Sequence, residues 1–250
     1  MWGVRNLWFY LVVFAANVIQ CITGFAGTVL AMPFSIMLEG FNVAKPILNV
    51  LGIVASVIIV VQKRTFVDKK ELGKIAGIML AGMVPGVLIV DRFAVSAGPL
   101  YKLLGIVVIG FTVLGIVRDY RQSRGAVPRR GRLHNAVLYG LLLLAGVVHG
   151  MFVCGGPLLV VYANEKLKNS DSFRATVSAV WILLNTINLL TEMGEGQISH
   201  HTVLLLLPST AVLLIAMLVG NLIYKRMNKK AFMALTYTLM AVSGASLLVK

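Results

Sequence analysis

The chain has 250 residues, 58% of them hydrophobic and only 13% charged, and its mean hydropathy of +0.89 lies outside the range of ordinary soluble domains. A formal net charge of +14 comes from short basic clusters set between apolar blocks, a pattern of membrane topology that argues against nucleic acid as a partner. Cys21 and Cys154 both lie inside apolar runs, and two thiols build neither a disulfide framework nor a multi-thiolate zinc site.

Apolar blocks recur at 7–19, 29–38, 47–61, 75–90, 100–117, 136–148, 157–163, 177–190, 203–223 and 231–249. Several reach the roughly 20 residues a helix needs to cross the hydrocarbon, and none alternates every second residue as a lipid-facing barrel strand must. The sequence therefore predicts an all-α integral membrane protein. Arg5 ahead of the first block imitates a signal peptide. Gln20, however, stands where a small residue would be cleaved, and the apolar pattern resumes at once in TVLAMPFSIML.

A continuous helix over 5–38 would be about 50 Å long against a hydrocarbon core of roughly 30 Å. QCITGFAGTVLAMPF, residues 20–34, supplies the interruption through Gly24 and Gly27. Further along, the hydrophilic stretch RDYRQSRGAVPRRGRLH divides the chain, giving a first membrane repeat at 1–118, a basic cytoplasmic linker at 119–134 and a second repeat at 135–250. The second repeat has the same order of features: a helical run, the break HGMFVCGGPLLVVY, a short apolar run and three longer blocks. A shift of 129 residues places Gly27 on Gly156, Lys45 on Arg174 and Ser56 on Asn185.

Charge sets the orientation. If each broken segment enters and returns on one side, as a hairpin of two short helices, 18 of the 23 Lys and Arg fall on the same face of the membrane. Straight crossings leave hardly any bias. The hairpin arrangement makes each half cross an odd number of times, so the expected architecture is two inverted repeats, each a broken helical hairpin plus three transmembrane helices. It places 63–74, 118–134, 164–174 and 225–230 in the cytoplasm and both termini outside.

Backbone freed from helical bonding is tolerated at membrane depth only where protein or a water-filled cavity satisfies it. The helix restarting after each break, near Thr28 and near Pro157, begins with unpaired N–H groups and a positive dipole end, which attract anions. Two inverted halves would aim both starts at one midplane site. Half of that cradle is Gln20, Thr23, Gly24, Phe25, Gly27 and Thr28; the other half is His149, Gly150, Cys154, Gly155, Gly156 and Pro157. Close helix packing by small residues is the competing explanation of the glycines.

GFAGTVLAMP, GMFVCGGPLLVVY and the pair TFVDKKEL and AGMVPGVLIVDRF resemble the TauE/SafE family of sulfite and organosulfonate exporters, over about 19–118 and 140–250. Ala26 and Thr28 stand where that family commonly has a fuller glycine run. The resemblance implies a duplicated protein of the prokaryotic cytoplasmic (inner) membrane that moves sulfite, sulfoacetate or another organosulfonate, with export as the direction. The alternative is a transporter or channel for another small anion, such as a carboxylate.

Several side chains carry two readings each. Gln20, Thr23 and Thr28 either donate to an oxyanion or satisfy the freed backbone. His149 either carries a proton or caps neighbouring backbone, and Cys154 is better read as a small buried hydrophobe than as a sulfur-handling thiol. Asn49, Asn185 and Asn188 sit in apolar blocks where amides face a bundle interior, the last two on one helical face. Lys45 and Arg174 begin their helices either as plain surface charges or as attractors of anions to each entrance. His200 and His201, with Glu192 and Glu195 nearby, form no metal-ligand spacing, and no nucleotide-binding loop occurs. No cofactor, metal or enzyme activity is expected. The partners are a small anionic substrate and a bilayer with anionic lipids, with proton coupling and a homodimer left open.

Overall fold

The computed structural model describes residues 2–93, 132–167, 169–194, 196 and 198–248, with scattered positions between 102 and 120. The basic linker 119–134 therefore falls mostly outside the described residues, as does Glu195. Among the described residues every regular element is helical: α1 (Trp2–Thr23), α2 (Ala26–Glu39), α3 (Phe41–Lys63), a 3-10 turn (Arg64–Phe66), α4 (Lys69–Phe93), α5 (Arg132–Phe152), α6 (Gly156–Lys166), α7 (Ser170–Gly194), α8 (His200–Lys225) and α9 (Lys229–Leu248).

Six of these, α1, α3, α4, α5, α7 and α8, are long and apolar enough to cross a membrane, which makes the chain a multi-pass membrane protein. The broken segments depart from the expected pair of short helices. α1 has 22 residues and α5 has 21, enough to span, whereas α2 has 14 and α6 has 11. At 1.5 Å per residue the short members reach only about 21 Å and 16 Å. Each break thus joins a full helix to a partial one.

Two compact units are present: Met1–Ala76 with Lys168–Phe232, and Gly77–Leu167 with Met233–Lys250. In the first, α1 packs against α2 and α8, and α3 against α2, α7 and α8. Phe9, Val13, Ile47, Leu51, Ile59, Leu213 and Met217 interdigitate in its core. α3 and α7 run antiparallel, since Lys45 meets Glu192, Gly52 meets Asn185 and Lys63 meets Asp171. These two helices hold equivalent places in the two sequence halves. α8 turns Leu205, Ser209, Leu213 and Gly220 inward and leaves Leu207, Leu214, Leu218 and Leu222 exposed, the apolar face a helix offers to lipid.

Helix ends are set locally. Gly24 (φ +82°) and Gly40 (φ +81°) hold left-handed conformations that terminate α1 and separate α2 from α3. Asp68 Oδ1 accepts from the amides of Lys70 and Glu71 at 3.0 Å to start α4, and Ser199 Oγ accepts from Thr202 N at 3.1 Å to start α8.

The second unit is built on close backbone approach. α4 carries Gly82 and Gly86, and α5 carries Gly146 and Gly150, each pair four residues apart. A methyl on Gly82 or Gly86 would collide with the carbonyls of Leu143 or Val147, and one on Gly146 or Gly150 with those of Met79 or Met83. This is reciprocal small-xxx-small packing, the means by which apolar helices associate where lipid removes the hydrophobic drive. On α5 and α6, Tyr139 and Tyr162 stack with centroids 6.0 Å apart, and His134 Nε2 lies 2.6 Å from Glu165 Oε2.

Candidate functional site

The first break is Gly24 and Phe25, between Thr23 and Ala26. Its backbone is satisfied by its own side chains. Thr23 Oγ1 donates to Ile19 O at 2.9 Å and accepts from the amides of Phe25 (3.3 Å) and Ala26 (3.2 Å). Gln20 Oε1 accepts from Gly27 N at 2.9 Å while its Nε2 donates to Gly24 O at 3.4 Å. The start of α2 is therefore not the row of bare N–H groups that the sequence suggested: the amides of residues 25 to 27 are occupied, and the structure gives Thr23 and Gln20 the backbone role. Gly24 O also accepts from Trp181 Nε1 at 2.9 Å, which ties the break to α7.

α2 folds back so tightly on α1 that a methyl on Gly27 would lie 2.6 Å from Gln20 Cβ and 2.7 Å from Ala16 O. Beside it is a cavity of about 10 Å³, the room of roughly one water, lined by Asn17, Gln20, Gly27 and Thr28 and, from α3, by Leu48, Leu51 and Gly52. Asn185 reaches this neighbourhood from α7, its Nδ2 2.7 Å from where a methyl on Gly52 would be. Asn17, whose Nδ2 donates to Val13 O at 2.8 Å, went unremarked in the sequence because a single amide in an apolar run carries no spacing of its own.

On α7 the buried positions Arg174, Ser178, Trp181, Asn185, Asn188 and Glu192 follow one another at spacings of four and three, a single inward stripe along the whole helix. α3 faces it with Lys45, Asn49, Gly52 and Ser56 in the same rhythm. Ser56 Oγ, Ser178 Oγ, Asn49 Oδ1 and Asn185 Oδ1 are buried there with no hydrogen-bond partner among the described residues. The three-and-four spacing is visible in the sequence, but apart from Asn185 and Asn188 its members do not stand out from the apolar run without the facing helix.

Lys45 and Arg174 correct a second expectation, since neither is a surface charge. Lys45 is 6% exposed and Arg174 1%. Lys45 Nζ lies 3.6 Å from Glu192 Oε1, and Asn49 Nδ2 donates to Glu192 Oε2 at 3.1 Å, a buried ionic cluster. Arg174 lies against the first break: a methyl on Gly24 would stand 3.2 to 3.3 Å from its carbonyl, Cα and Cγ. Its Nη2 donates to Cys21 Sγ at 3.2 Å and its guanidinium sits 4.3 Å over the Tyr224 ring. Phe25 meets Phe173 edge to face at 6.3 Å, and Phe173, Phe232 and Tyr224 continue that aromatic wall. His201 Nε2 is 3.0 Å from Glu39 Oε2, and Arg5 Nε is 3.2 Å from the other oxygen of the same carboxylate.

The second break lies in the other unit. α5 stops where Val153 takes φ +56°, a left-handed conformation that a β-branched residue adopts only under constraint. Val153 N donates to His149 O at 2.8 Å. Gly155 then fits under the Ala145 carbonyl, with a methyl there 2.9 Å from His149 Cβ. Gly155 is the N-cap of α6 and Pro157 lies in its first turn, so the cap has no side chain to offer and the proline no N–H. His149, Gly150, Cys154, Gly156 and Pro157 are all buried, and Gly150 also serves the α4–α5 contact.

The sulfite exporter TauE/SafE family model matches residues 9–247, both breaks and the polar seam included. The chain belongs to that family. Its sequence is also 28% identical over 181 residues to the probable inner membrane transporter protein TsaS of Comamonas testosteroni, covering 68% of this chain and 70% of that one. No solved structure matches it. Both the family, described as sulfite exporters, and this relative, described as a probable transporter, are transport proteins by description.

Proposed function

We propose that this chain is a secondary transporter that exports a small sulfur-containing anion, such as sulfite, sulfoacetate or another organosulfonate, across a prokaryotic inner membrane. The observation that carries the reading is the family match over 9–247, which includes both broken helices. Broken helices inside a membrane protein are tolerated where protein groups satisfy the freed backbone or a cavity adjoins it, and transporters place substrates at such helix starts. The antiparallel run of α3 and α7 is what opposed halves require of equivalent helices. The start of α2 offers Gln20, Gly27 and Thr28, and the start of α6 offers Gly155, Gly156 and Pro157. The cavity beside the first break holds about one water, so loading an anion requires α1 and α2 to part from α3.

The test is counterflow of labelled sulfite into proteoliposomes containing the purified chain, competed by sulfate, thiosulfate, taurine, sulfoacetate and short carboxylates. Saturable exchange that sulfite and sulfoacetate compete is expected. Competition by carboxylates and not by sulfur anions would replace the substrate class, and single-channel currents in place of saturable exchange would replace the transporter with a channel.

A further inference from the structure

We propose that the Arg174 guanidinium is the group that meets the charge of the transported anion at the first break. The proposal rests on the transporter reading above and names the residue on which it turns.

Arg174 is 1% exposed, and a buried cation in a membrane is costly unless something of opposite charge or several acceptors meet it. Among the described residues it has no ion pair. Asp171, the acid one turn before it on α7, is engaged elsewhere: Lys63 Nζ lies 3.2 Å from its Oδ2 and Tyr224 OH donates to its Oδ1 at 2.9 Å. What Arg174 does have is weak. A thiol accepts one bond from Nη2, and the Tyr224 ring covers the guanidinium with its hydroxyl, itself a donor to Asp171, also in reach, while among the described residues Nε and Nη1 have no acceptor.

The position in the other half gives the contrast. Lys45, 129 residues earlier, is buried to nearly the same degree but has Glu192 as counter-ion. A purely structural cation would be expected to have one too. Arg174 instead has its backbone and Cγ pressed on Gly24, where α1 ends and α2 begins, and its guanidinium lies between Cys21, in the last turn of α1, and the Tyr224 ring, next to a break whose first amides are already taken by Thr23 and Gln20. There the α2 dipole contributes a favourable potential, but hydrogen-bond donors must come from elsewhere. A guanidinium with two nitrogens that lack acceptors among the described residues supplies them, and a tetrahedral or pyramidal oxyanion of sulfur supplies several acceptor oxygens on one charged centre.

The experiment compares wild type, R174K and R174M in two assays: sulfite counterflow in proteoliposomes, resolved into KM and kcat, and thermal stabilisation of the detergent-solubilised protein by sulfite, sulfoacetate or acetate. R174K keeps the charge but not the planar donor set, so its KM is expected to rise on the order of tenfold with kcat changed far less. R174M is expected to lose both exchange and sulfite-dependent stabilisation while eluting as a monodisperse protein. K166M, which removes one exposed charge from α6, controls for net charge and keeps the wild-type KM. A wild-type KM in R174K or R174M overturns the assignment, and R174K alone decides it if R174M does not fold. Wild-type protein that neither exchanges nor is stabilised by any of the three anions overturns the transporter reading, and this assignment falls with it.

Discussion

Thr23 uses one hydroxyl three times, as donor to Ile19 O and as acceptor from the amides of Phe25 and Ala26. Replacing it by valine keeps the shape and the β-branch but leaves two amides at the start of α2 without their acceptor. Thr23→Val is therefore expected to lower stability by about 1–2 kcal/mol, seen as a lower thermal-unfolding midpoint in detergent. An unchanged midpoint would mean that water or lipid satisfies those amides equally well. Gly24 next to it is fixed for two independent reasons, its φ of +82° and the backbone of Arg174 at 3.2 Å from any added methyl. Val153 shows the opposite solution at the second break, holding a left-handed angle without being glycine, at a cost of about 1–3 kcal/mol that its surroundings must offset.

Along α7 the buried side chains change from a cation at Arg174, through hydroxyl, indole and amides, to a carboxylate at Glu192. α3 answers the carboxylate with Lys45 and, at its other end, sets Lys63 on Asp171. Lys45→Met removes the nearest counter-ion of a carboxylate that cannot reach water, and it is expected to destabilise the protein by about 3 kcal/mol or more. Adding Glu192→Gln should recover much of that loss, because the double variant buries no charge at this place. Unfolding midpoints of the two single variants and the double measure the coupling, and strictly additive losses would show that the pair does not interact. α4 and α5 illustrate a different economy of packing. Their glycines touch carbonyls of the facing helix directly, so this contact is specified by missing side chains. The sequence left Gly150 between a break and close packing; against α4 it is one of four glycines that let two backbones meet.

For the whole molecule, the distribution of Lys and Arg predicts orientation. With 18 of 23 assigned to one side, both termini are expected outside and the 119–134 linker in the cytoplasm. An epitope tag at the N-terminus should be accessible in intact spheroplasts, and one inserted in the linker only after lysis; the reverse pattern would invert the topology. The sequence by itself determined that the chain is a bundle of membrane helices, that helices are interrupted within 20–34 and within 149–162, and that Asn185 and Asn188 share a face. Those properties depend on composition, on glycine and proline, and on a helical period, all of which act over a few neighbouring residues. Only the tertiary structure decided that Thr23 and Gln20 occupy the first amides of α2, that α2 and α6 are much shorter than the helices they follow, that Glu192 accompanies Lys45, and that Arg174 is buried on Gly24 with no ion pair among the described residues. The reason is physical. A buried charge is defined by what stands across from it, and the helices that stand across are more than a hundred residues away in the chain.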